Sequence, residues 1–232
     1  MEQPSKYWYL HNHNLFSQLS EEDIKQLAVI SGFKKGKKND IIPFTDKNVK
    51  RIYILKKGIL KIMRIDSNAE ARAMDIVTAG DIFGEVPVNS DILYSPQYAI
   101  VLTDEAIVCT FTLENFEKVL NQNASISLKF IKTINGKIET FRRQYSSLIL
   151  KDTKTRLLEF LCEFSESYGE RIGDALVVKN YLRHQDLADI IGCKRQTVST
   201  LMKELKLENK IDYTKYNLTV FNNTLFEEKI DN

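Results

Sequence analysis

The residues best equipped for chemistry lie in two short runs: Arg183, His184 and Gln185, then Lys194, Arg195, Gln196, Thr197, Ser199, Thr200 and Lys203. His184 has Asp186 nearby, but no nucleophile, metal set or phosphate loop accompanies the pair, so catalysis fits poorly and no cofactor is expected. The chemistry on offer is recognition. Arginine can donate two hydrogen bonds to guanine, glutamine can pair with adenine, and hydroxyls and lysines suit phosphate oxygens.

Spacing gathers these groups on one face. A helix over about 184–191 places Leu187, Ile190 and Ile191 together, with Ala188 small enough to admit a neighbouring helix. Gly192 supplies the tight turn. A second helix over 194–208 buries Val198, Leu201, Met202 and Leu205 and leaves Arg195, Gln196, Ser199, Thr200 and Lys203 opposite. Two short strands, 210–213 and 217–221, flank Thr214-Lys215-Tyr216 and outline a wing. A helical hairpin with a wet polar face would show the same spacing, so the pattern alone leaves both readings open.

These residues need elements to hold them. Asp152 is placed to cap a helix over 153–168 that buries Leu157, Leu158, Phe160, Leu161 and Phe164, and Ala175–Lys179 reads as a strand. Upstream, Ile131, Ile134, Ile138, Phe141, Tyr145 and Leu148 alternate spacings of three and four, a heptad seam that a second copy of the same helix would cover. Between Phe33 and Thr112 the expected strands are 51–55, 59–65, 73–77, 98–102 and 107–112, separated by turn signals such as Lys57-Gly58 and Ala79-Gly80-Asp81. That pattern predicts a sandwich or rolled barrel. Ser20 followed by Glu21, Glu22 and Asp23 opens a short helix before it.

Composition narrows the class. The chain has 232 residues, with 33 Lys and Arg against 31 Asp and Glu, so the net charge of +2 does not by itself announce a nucleic-acid partner. The lysines crowded from Lys34 to Lys61 read as the solvated face of a small sheet, and Glu227, Glu228 and Asp231 offset the basic residues of the last third. Cys109, Cys162 and Cys193 lie far apart, which argues against disulfides and zinc and for small buried side chains. No apolar run is long enough to span a bilayer, and the polar start lacks the apolar core of a signal peptide, so a cytoplasmic protein without a membrane partner is expected.

The stretch Gln185-Asp186-Leu187-Ala188, Ile191-Gly192-Cys193, Arg195-Gln196-Thr197-Val198 and Leu205 resembles the winged helix-turn-helix of the cyclic-AMP receptor protein and fumarate-nitrate reduction regulator (CRP/FNR) family. Ile52-Tyr53-Ile54-Leu55 with Lys57-Gly58 is similar to that family's hairpin, and Gly80-Asp81-Ile82-Phe83-Gly84-Glu85 to its Gly-Asp-x-x-Gly-Glu turn. The resemblance implies an α+β fold: a cyclic-nucleotide-binding-like β-roll over 1–122, a dimerisation helix over 123–150 and a winged helix-turn-helix over 151–232. It puts Arg195 where the family reads a base, Gln196 where a glutamate is usual, and Thr200 where a second arginine is frequent. Glutamine favours adenine over cytosine, so the operator is expected to differ from that of the best-known members.

The resemblance also locates an effector pocket at Gly84, Glu85, Ser95, Gln97, Phe141 and Arg142. Family members that bind cyclic nucleotides carry an Arg-Ser pair about ten residues after the Gly-Glu turn, where arginine neutralises the phosphate. This chain reads Leu93-Tyr94-Ser95-Pro96-Gln97 there, so cyclic AMP is not the expected effector. An iron–sulfur sensor would need cysteines near the N-terminus, and none of the three is there. His11 and His13 are conceivable haem ligands but read more simply as polar surface.

The expectation is a non-enzymatic homodimer that binds a palindromic double-stranded DNA operator and contacts RNA polymerase, with an unidentified small-molecule effector. The alternative is a ligand-binding or protein-docking module whose winged domain no longer binds DNA.

Overall fold

The computed structural model describes residues 3–17, 19–46, 49–84 and 97–221. Glu85 and Ser95 of the expected pocket, and acidic Glu227, Glu228 and Asp231, lie outside the described residues. The chain falls into two compact units, 1–139 and 140–232.

The first unit opens with α1 (Gln3–Asn12), a single 3-10 turn (Asn14–Phe16) and α2 (Glu21–Ile30). Among the described residues nine strands follow: β1 (Gly32–Lys37), β2 (Ile41–Pro43), β3 (Thr45–Asp46), β4 (Val49–Lys57), β5 (Ile59–Ile65), β6 (Ala71–Thr78), β7 (Ile82–Gly84), β8 (Gln97–Val101) and β9 (Glu105–Thr112). Then come α3 (Leu113–Gln122) and α4 (Ala124–Leu150), which runs on into the second unit. Two helices thus follow β9. Asn123 divides them: its N–H donates to Val119 O, and its carbonyl accepts from Ile126 and Ser127 N–H.

Two antiparallel sheets make the roll, ordered β1-β9-β4-β3 with β7 beside β4, and β2-β8-β5-β6. β4 explains why Ile52-Tyr53-Ile54-Leu55 is an unbroken apolar run. Strand alternation turns Tyr53 and Leu55 toward Leu60, Val77, Val101 and Val108, while Ile52 and Ile54 pack with Leu10, Phe16, Leu27, Phe116 and Ile126. Phe83, from the Gly-Asp-x-x-Gly turn, stacks on Tyr53 at 5.2 Å, with Phe44 5.8 Å from it. Each such burial is worth about 1.5–3 kcal/mol.

Some expectations need correction. The lysine-rich stretch is not uniformly solvated: Lys61 is buried, and Lys56 is half-buried with its ammonium 5.3 Å from the ring centroids of both Tyr9 and Phe33. His13 is not polar surface. It is buried where α1 meets the Gly80 turn, with Nδ1 accepting from Leu15 N–H (3.2 Å) and Nε2 3.1 Å from Gly80 O. That pairing requires the proton on Nε2, so the ring is neutral, and burial holds its pKa below the ordinary histidine value. The stability His13 contributes is present above the unfolded-state value and is lost as pH falls through the lower folded value. Thermal unfolding of the intact protein should show stability declining below about pH 6.5, with a shallower decline in His13→Phe. Equal slopes would remove His13 from the account.

The second unit holds the end of α4, then α5 (Thr153–Tyr168), β10 (Glu170–Ile172), β11 (Ala175–Lys179), α6 (His184–Ile191), α7 (Arg195–Leu207), β12 (Ile211–Tyr213) and β13 (Asn217–Phe221). Its antiparallel sheet is ordered β10-β11-β13-β12. Among the described residues no helix is long and apolar enough to cross a membrane.

Candidate nucleic-acid interface

The interface is built on α5. Asp152 caps it, one carboxylate oxygen accepting from Lys154 N–H (2.8 Å) and Thr155 N–H (3.0 Å), and hydrogen bonding to those amides lowers the carboxyl pKa. Leu157, Leu158, Leu161 and Phe164 are buried against the rest of the unit; Phe160, expected with them, is half-buried. At the start of α6, Arg183 N–H donates to Asp186 Oδ2 (2.9 Å), so Asp186 serves the fold rather than a reaction. Gly192 ends α6 at φ 69° and ψ 52°, left-handed backbone, and a Cβ there would lie 2.9 Å from Leu148 Cδ2.

After that turn, Lys194 occupies the N-cap position of α7 without a side-chain capping bond, and Val198, Met202 and Leu205 pin the helix down, with Leu201 half-buried. Lys194, Arg195, Gln196, Thr200 and Lys203 are exposed on the other side, and Thr197 lies half-buried between. Five polar groups of the types that read base edges and phosphates thus share one helical face.

The remaining expected residues are less free. Ser199 Oγ donates to Arg195 O (3.1 Å) and meets His184 Nδ1 at 2.9 Å, which ties the first helix to the second. Burial first, then the charge of Arg195, lowers the His184 pKa. Gln185 Nε2 donates to Asp189 Oδ1 (2.8 Å), while Arg183 is exposed. Thr200 Oγ1 donates to Gln196 O (3.2 Å), leaving its lone pairs available.

The wing follows. Thr214 N–H donates to Asn217 O (2.8 Å), and Thr214 Oγ1 accepts from Tyr216 and Asn217 N–H, which presents exposed Lys215 and Tyr216 at the tip. In the sequence those two residues signal only a turn.

In the roll, Gly84 pairs with Ile52 and Gln97 with Arg64. Gly84 has φ 128°, and a Cβ there would lie 2.5 Å from Arg51 O, so this position tolerates only glycine. Phe141 and Arg142, exposed on α4, belong to the other unit. Arg51 went unnoticed in the sequence. Alternation puts it on the same face of β4 as Tyr53 and Leu55, and its buried Nε has no hydrogen-bond partner among the described residues. Cys109 and Cys162 are buried as expected, and burial pushes the Cys109 thiol up to about 12, which leaves no reactive thiolate at neutral pH. Cys193 is only half-buried, and burial raises its pKa too.

The roll and the winged helix-turn-helix unit each match a known family model, a cyclic nucleotide-binding domain over residues 33–123 and a Crp-like helix-turn-helix domain over 155–224 respectively. The global nitrogen regulator of Synechocystis sp. is 26% identical over 198 residues, 84% of this chain and 85% of that protein. The anaerobic regulatory protein of Bacillus subtilis is 23% identical over 198 residues, 84% of this chain and 82% of that one. In fold, the structure of FixK2 from Bradyrhizobium japonicum is similar at a TM-score of 0.70 and 16% identity, covering 88% of this chain and 98% of that one. With the roll, the long helix and the winged helix-turn-helix in that order, the chain belongs to the CRP/FNR family of DNA-binding, non-enzymatic transcription regulators.

Proposed function

We propose that the chain acts as a homodimer that reads a palindromic operator, each copy laying α7 in the major groove of double-stranded DNA. The observation that carries this is the single exposed face of Lys194, Arg195, Gln196, Thr200 and Lys203 above a buried Val198–Met202–Leu205 stripe. Arg195 and Gln196 are the base readers, and Lys194 and Lys203 take phosphates. Ile131, Ile134, Ile138, Phe141, Tyr145 and Leu148 are all substantially exposed in the single chain, a heptad stripe that a second copy would cover. In this reading the functional parts are the roll (1–122), the dimer helix (123–150) and the winged domain (151–232), with RNA polymerase as a further partner.

The effector is not cyclic AMP, because the position beside Ser95 carries no arginine to neutralise its phosphate. Mobility-shift titrations across salt concentrations test the DNA reading. Binding should weaken steeply as salt rises, and Lys194→Ala or Lys203→Ala should each lower the salt slope by about one. Weak binding without sequence preference would instead identify a docking module with an inactive winged domain.

A further inference from the structure

We propose that Arg156 is a positioning residue for DNA reading: its guanidinium fastens the turn before the recognition helix to the end of α4 and so sets the half-site spacing that the dimer accepts. The inference rests on the operator-reading dimer proposed above.

One planar group holds three elements. Arg156 Nε donates to Ile191 O (3.1 Å), Nη1 to Lys151 O (2.8 Å), and Nη2 reaches Thr153 Oγ1 at 3.4 Å. Ile191 O is among the carbonyls that α6 leaves unpaired at its C-terminus, and Lys151 O lies just past the end of α4. Both acceptors are main-chain atoms, so the side chain fixes backbone to backbone. A rigid fork of donors can do this; a single ammonium cannot reach the same acceptors at the same angles.

Neighbouring contacts make that stretch one body. Leu148 lies against Gly192, close enough that a Cβ there would crowd its methyl. Glu159 on α5 pairs with Lys151 and accepts from Ser147 Oγ (3.3 Å). Lys154, in the first turn of α5, pairs with Glu204 (3.7 Å) and Glu208 at the far end of α7. The exposed Arg143–Glu163 pair, at 3.7 Å, adds little in water.

The consequence for DNA is geometric. Phe141, Tyr145 and Leu148 of the proposed seam lie on the same part of α4 that Arg156 holds, so a two-fold axis at that seam would fix both recognition helices. Half-sites on one face of the duplex repeat every turn of roughly 10 base pairs. Adding one base pair shifts a half-site by about 3.4 Å and turns it by about a tenth of a revolution. A stiff clamp rejects that change, and a slack one tolerates it.

The test first selects an operator with the full-length wild type from a randomised duplex pool. Palindromes are then built at the selected spacing and at one and two base pairs to either side. Wild type should bind the off-spacing duplexes about tenfold or more weakly, given those displacements. Arg156→Met should keep the half-site base preference yet bind all spacings within about threefold. Arg156→Lys, which retains charge but not the fork, should fall between and decides the matter if Arg156→Met fails to fold. A steep spacing profile in the folded variant, with affinity lowered equally throughout, overturns the positioning role alone. Failure of the wild type to select any palindrome overturns the operator-reading dimer and this inference with it.

Discussion

Arg195→Ala should weaken binding to the selected operator by about 1–3 kcal/mol and relax preference at one base pair of each half-site. Arg195 is the first residue of α7, directly after the cap at Lys194, and its side chain is exposed. Recognition helices of this motif contact base edges with their N-terminal residues, so in the proposed docking this position enters the groove first. A guanidinium there can meet both guanine acceptors, and alanine leaves them without a partner. The fold should be indifferent: Arg195 gives Ser199 only its backbone carbonyl, which alanine keeps. Anisotropy titrations against the operator and its single-base variants read both effects. Affinity lost equally for every variant would show a phosphate contact instead. A loss below about 0.5 kcal/mol would remove Arg195 from the interface.

The second large effect is on the turn. Gly192→Val should destabilise the second unit by about 1–3 kcal/mol, chiefly through backbone strain, since a β-branched residue at φ 69° is held in a region it avoids. Crowding is the lesser part. The atom that a Cβ meets is the far end of Leu148, a half-exposed side chain that can turn away. A double-mutant cycle separates the two. If strain dominates, Leu148→Ala should recover less than about 0.5 kcal/mol of the loss. Recovery of most of it in urea unfolding would make the contact with Leu148 the reason for glycine. Either way DNA affinity should fall, because Cys193 N–H and the Gly192 N–H both bond Ala188 O to set the angle between α6 and α7.

Much of this was legible in the sequence, and the parts that were not share a cause. Helix α5 begins after Asp152 and α6 ends at Gly192, as those residue types indicate, and the exposed face of α7 follows from helical period. Strand β5 spans Ile59–Ile65 as its apolar run indicates. Strand β1 was hidden because Gly-Phe-Lys-Lys-Gly-Lys has neither alternation nor β-branched residues; its pairing with β9 makes it a strand. Helix α1 was hidden because, among its described side chains, only Leu10 is fully buried, too little to make a stripe. His13, Arg51 and Arg156 owe their roles to partners or neighbours distant in sequence, such as Gly80 and Ile191, and spacing cannot announce these. Ser199 was expected on the DNA face by period alone, while its bond to His184 spans 15 residues and shows only in three dimensions.

The division of α7 into two faces has an evolutionary corollary. Gln196 and Thr200 are exposed, so most substitutions there should alter stability by less than about 0.5 kcal/mol while changing, in the proposed docking, which bases are read. Target preference can therefore drift through single steps, each folding as well as the last. Ser199 is the exception, since losing its hydroxyl would also release His184. Descendants of one ancestral chain could thus diverge in the genes they control while keeping Val198, Met202 and Leu205 unchanged beneath the reading surface.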